Sequence, residues 1–95
     1  MAHQNTMSLT RELIEEELVP LLKTINEQVS VEDIYGADYY YTDGFARGAI
    51  CKIMIQSLRV YIWSNGKISY KMEPWAQDFI DQIDRWISSK LSLSG

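Results

Sequence analysis

Two sets of side chains in this sequence are of the right types to do chemistry. Glu32, Asp33, Asp38 and Asp43 lie in one short stretch, and hard divalent cations such as calcium are held by clustered carboxylate oxygens. Their spacing does not follow the twelve-residue loop of an EF-hand. A carboxylate pair such as Asp38 with Asp43 would suit acid–base catalysis only if one member were buried with a raised pKa, and nothing in the sequence demands that. The second set is Lys52, Arg59, Tyr61, Trp63, Lys67 and Lys71. Tryptophan, tyrosine and arginine are the residues enriched in recognition surfaces, so these six would form a binding face if the fold brought them together.

Most other chemistries fail on inventory. The only histidine, His3, falls in the polar, unpatterned Met1–Met7 stretch, away from the single cysteine, Cys51. Neither a histidine-activated nucleophile nor a zinc site can be built from that. The glycines do not make a phosphate-cradling loop that leads into a helix. A non-enzymatic protein without a cofactor is therefore expected, with a small carboxylate enzyme as the alternative. The formal net charge of −4 argues against a generic nucleic-acid binder, because Lys and Arg supply most phosphate affinity. No apolar run approaches bilayer length and no signal segment starts the chain, so a cytoplasmic protein without membrane attachment is expected.

The elements that must position these residues are organised around Asn65-Gly66. Apolar and polar residues alternate on both sides of it, the mark of a β-hairpin. A two-residue turn would set Ile62 opposite Ser69 and Val60 opposite Lys71, mixing both faces. A three-residue Ser64-Asn65-Gly66 loop with a left-handed Gly66 sets Ile62 opposite Ile68 and Val60 opposite Tyr70, making one face apolar. That register is preferred, since each large side chain is worth roughly 1.5–3 kcal/mol when buried. A second turn at Gln56-Ser57 would place Ile55 beside Leu58, Ile53 beside Val60 and Cys51 beside Ile62, although neither turn residue favours positive φ. Cys51 then belongs to the core.

The opposite face carries Ile50, Lys52, Met54, Arg59, Tyr61, Trp63, Lys67, Ser69 and Lys71. It gathers four of the nine Lys and Arg residues of an acidic chain. Outward aromatic residues favour association. Tyr61 and Trp63 are accordingly expected in a protein contact, and replacing both with Thr is expected to spare stability.

Around the hairpins, a capped N-terminal helix is predicted from Leu9, Leu13, Ile14, Leu18, Leu21, Leu22, Ile25 and Val29, kinked near residues 16–20 by Pro20. Ser30 and Asp33 resemble a capping box for a single helical turn ended by Gly36. Residues 37–44 read as a short aromatic strand closed by Asp43-Gly44. Pro74 is expected at the first position of a last helix whose stripe is Ala76, Phe79, Ile80, Ile83, Trp86, Ile87 and Leu91.

These elements make one small domain over residues 1–95, with 1–7 and 92–95 expected to be flexible. The fold class is α+β: an antiparallel meander of three to four strands, flanked by an N-terminal Pro-kinked and a C-terminal helix packed on one sheet face. The order is α-β-β-β-β-α. The function expected is a small interaction module that binds a protein partner or self-associates as a homodimer through the outer sheet face. The alternatives are a calcium-binding protein centred on residues 32–43 and single-stranded nucleic-acid binding by stacking on Tyr61 and Trp63.

Overall fold

The structure is a computed structural model that describes residues 8–41 and 47–92. An N-terminal helix, α1, is built from α-helical Arg11–Leu13, π-helical Ile14–Leu18 and α-helical Val19–Lys23. Strand β1 (Val29–Glu32) follows, then a short helix α2 (Gly36–Tyr41), strands β2 (Cys51–Ile55), β3 (Leu58–Ile62) and β4 (Ile68–Ser69), and a long helix α3 (Gln77–Ser92). The four strands form one antiparallel sheet in the order β1-β2-β3-β4. The architecture is α+β, as expected from the alternation of hydrophobic periods, with a helix before the sheet and another after it.

Strand register agrees with the expected one. Cys51 pairs with Ile62, Ile53 with Val60 and Ile55 with Leu58 across the Gln56-Ser57 turn, and Ile62 pairs with Ile68 across the three-residue loop. Gln56 takes the positive φ of 52° that this tight connection needs, despite its side chain. In the loop, the Gly66 N–H donates to the Trp63 carbonyl at 3.0 Å and the Trp63 N–H to the Lys67 carbonyl at 2.9 Å. The Asn65 side chain accepts the Lys67 N–H at 2.9 Å, a local bond that asparagine supplies in turns.

Gly66 is required here for two reasons. Its φ is +92°, and a Cβ would run into Leu91 Cδ1 and sit 3.0 Å from Ile87 Cγ2. Gly66→Ala should therefore cost more than about 1 kcal/mol, read as a lower urea midpoint at an unchanged m-value.

The apolar face of the sheet carries Cys51, Ile53, Ile55, Val60 and Ile62, all fully buried under α1 and α3. From α1 come Ile14, Leu18 and Leu22, preceded by Leu9; from α3 come Phe79, Ile80, Ile83, Trp86 and Ile87. Leu9 is tied down by its N–H, which donates to the Ser64 carbonyl at 2.9 Å. Lys90 of α3 reaches Glu17 of α1.

The kink expected from Pro20 takes the form of a widened turn. Proline has no N–H for the carbonyl four residues back and its ring clashes with that carbonyl. The preceding turn opens to π-helical geometry, with the Val19 N–H bonded to the Ile14 carbonyl, five residues back. Leu21 and Ile25, expected in the apolar stripe, are exposed instead: Ile25 lies beyond the end of α1 at Lys23, and the core-facing side of α1 is taken by Ile14, Leu18 and Leu22, with Leu13 and Val19 packed beside them.

Three local expectations are corrected. Val29 to Glu32 is an edge strand paired with β2, not a helix end and capping box; two β-branched valines on alternate positions favour pleated packing. Residues 36–41 are a helix, not an aromatic strand. The Asp43-Gly44 turn, like the Met1–Met7 tail, lies outside the described residues. Finally, α3 starts at Gln77, later than expected, since Glu73 to Ala76 form a separate turn closed by the Ala76 N–H to the Glu73 carbonyl at 3.0 Å.

Candidate binding face

The face of the sheet opposite the core is divided in two. On β2 and β3 it carries Lys52 and Tyr61, both buried and bonded to Asp38 of α2, and towards β4 it carries Trp63 and basic side chains. The division follows from Asp38.

Asp38 sits in the first turn of α2. Its N–H donates to the Tyr35 carbonyl at 2.9 Å, while its Oδ2 accepts the Tyr35 N–H at 2.7 Å. This is the acidic half of a capping box, reaching back from the third helical position. The same carboxylate accepts both Lys52 Nζ, at 2.8 and 2.9 Å, and the Tyr61 hydroxyl, at 2.9 Å. Lys52 Nζ also lies 5.2 Å from the centre of the Tyr35 ring, within cation–π range. Tyr35 itself remains 57% exposed.

Asp38, Lys52 and Tyr61 are 2%, 6% and 3% exposed. The expectation that Lys52 and Tyr61 lie on an open surface is corrected: both are side chains of the outer face, but both are buried and bonded to Asp38 of α2. Burial alone would push the Asp38 carboxyl up. The hydrogen bonds from Lys52, the Tyr35 N–H and Tyr61, with the ammonium charge, outweigh that and hold it below the usual carboxylate range.

The two residue sets singled out in the sequence thus meet, since an acidic member of one neutralises a basic member of the other. This also redirects the proposed cation site. Asp38 aims inward at Lys52 and Asp33 pairs with Arg11. Glu32 stands opposite Lys52 in the β1–β2 register and is exposed, and Asp43 lies outside the described residues. Among the described residues no group of three or more His, Cys, Asp or Glu side chains is placed to hold a metal ion. Tyr35 is the participant that sequence reasoning missed. The available signal was the spacing of three between Tyr35 and Asp38, with Gly36 between.

Beyond α2, the outer face is Arg59, Trp63, Lys67, Ser69 and Lys71. Trp63 is half-buried and fixed on both sides: its Nε1 donates to the Arg47 carbonyl at 3.1 Å, and Lys67 Nζ stands 4.8 Å from its ring centre. Gly48, at φ +85°, lets the backbone approach; a Cβ there would lie 3.4 Å from Trp63 Nε1. Tyr61 stands opposite Ser69 and Trp63 bonds to Lys67. The same register continued by two residues sets Arg59 opposite Lys71.

Cys51 takes no part in this face. Burial pushes its thiol up to about 11, so little thiolate forms near neutral pH. A disulfide reagent at pH 8 should leave Cys51 unmodified in the folded protein and modify it fully in denaturant; rapid native labelling would contradict the assigned core.

Comparison with protein-family models, with curated proteins and with solved structures finds no match to this chain.

Proposed function

We propose that the protein is a non-enzymatic interaction module that binds an acidic protein partner through the outer face formed by Arg59, Trp63, Lys67 and Lys71. The observation that carries this reading is Trp63, held rigidly between Lys67 and the Arg47–Gly48 backbone while part of its ring stays accessible. A fixed aromatic side chain loses little entropy on binding, which is why such residues anchor interfaces.

Charge supports an acidic partner. Exposed Glu12, Glu15 and Glu16 of α1 and Asp78 and Asp84 of α3 belong to the helices on the other side of the sheet, whereas on the outer face Glu32 and Asp38 lie at Lys52, away from Lys67 and Lys71. A homodimer made by two copies of that face would oppose like charges across a two-fold axis, which is unfavourable. Stacking of single-stranded nucleic acid loses one of its two platforms, since the Tyr61 ring is covered.

The test is affinity capture from native cell extract on the immobilised chain and on its Lys67→Glu/Lys71→Glu variant. Capture of an acidic protein by the first, reduced about tenfold or more by the second and weakened by salt, is the expected result. Charge reversal at two exposed sites should leave the thermal midpoint nearly unchanged. Equal capture by both would sink the proposal.

A further inference from the structure

The two edges of the sheet are treated differently. At β1, Arg11 Nη2 donates to the outward-facing Val31 carbonyl at 3.4 Å while the same guanidinium pairs with Asp33, so an arginine from α1 straddles that edge. At the other side β4 is the last strand of the sheet among the described residues. The bond from the Trp63 N–H to the Lys67 carbonyl fixes the alternation along this ladder, making Ile62 and Ile68 a non-hydrogen-bonded pair. Ile68 therefore aims its N–H and C=O away from β3, and by the same alternation so does Tyr70.

Resting on the outer face as the binding surface, we infer that the acidic partner supplies an extended segment that adds a fifth strand beside β4. Backbone bonds to Ile68 and Tyr70 hold it, and its acidic side chains meet Lys67 and Lys71 on the outer face. Strand addition derives its affinity from main-chain bonds and its selectivity from alternate side chains. The lysines set the selectivity. Lysine on an edge strand ordinarily deters pairing with another copy, and it does so here: antiparallel pairing of two β4 strands about Ser69 opposes Lys67 of each copy to Lys71 of the other. The same two charges favour a strand with glutamate or aspartate at alternate positions.

The probe is a capped heptapeptide in which glutamate alternates with valine, titrated into the full chain with amide signals followed by NMR. Saturable shifts and slowed exchange at the Ile68 and Tyr70 amides are expected. They should be lost when the peptide backbone is N-methylated on its pairing edge and when lysine replaces its glutamates. Binding that leaves both amides unchanged and tolerates N-methylation would overturn strand addition while leaving the outer face as a binding surface. The absence of any shift up to millimolar peptide would overturn both. Protection of the two amides that rises with protein concentration alone would show self-pairing and likewise overturn the inference.

Discussion

Replacing Lys52 with Met should lower stability by about 3–5 kcal/mol, because a buried carboxylate is left without its cation. For a domain of this size that is a fall in thermal midpoint of about 12 °C or more. Burial, not the mere existence of an ion pair, sets the size of the effect, since exposed pairs are worth little and this one is under a tenth exposed on both sides. Asp38 would keep the Tyr61 hydroxyl and the Tyr35 N–H, two neutral donors in place of an ammonium. The double variant Asp38→Leu/Lys52→Met should recover most of the loss, as apolar replacement of a buried pair is often near neutral. If the single variant melts like the parent, α2 does not cover the sheet in solution.

Acid supplies an independent check on the same group. Asp38 has its folded pKa below its unfolded value, so in acid the unfolded chain takes up the proton first. Its contribution is fully present above the ordinary carboxylate pKa of about 4 and is lost as pH falls through the folded value. Urea midpoints measured from pH 6 downward should show this limb in the parent protein. In the double variant it should be smaller, leaving the part that comes from Glu17, which Lys90 also holds below its ordinary value.

The second large effect concerns strand register. Ile62→Ala should cost about 2–5 kcal/mol, the range for truncating a fully buried isoleucine. Ile62 pairs with both Cys51 and Ile68 and is wholly inaccessible beneath the helices. Its neighbour Trp63, larger by far, should cost only about 1 kcal/mol as Thr, which retains β propensity. A register one residue out of step would invert this order. The companion replacement of Tyr61 with Thr cannot be silent, contrary to what an open outer face implied. It removes a donor to Asp38 and empties a covered volume, so the Tyr61→Thr/Trp63→Thr protein should unfold well below the parent.

What the sequence determined by itself was periodic. Alternation around Asn65-Gly66 and around Gln56-Ser57 sufficed for three strands, their registers and the inner face, because a one-residue slip exchanges core for solvent and has a large energetic signature. The stripe of α3 and the interruption at Pro20 were legible for the same kind of reason: both are properties of neighbouring residues on one element. Tertiary structure decided what depended on distant partners. Val29 to Glu32 is too short to distinguish strand from helix until β2 lies beside it. The run Tyr39-Tyr40-Tyr41 has β propensity yet is helical, in an element whose Asp38 gains Lys52 and Tyr61, fourteen and twenty-three residues away. That contact also separated the outer face into a covered half and a half that carries Trp63, a division that no pattern along the chain encodes, because charge pairing across a fold depends on position in space and not on spacing in sequence.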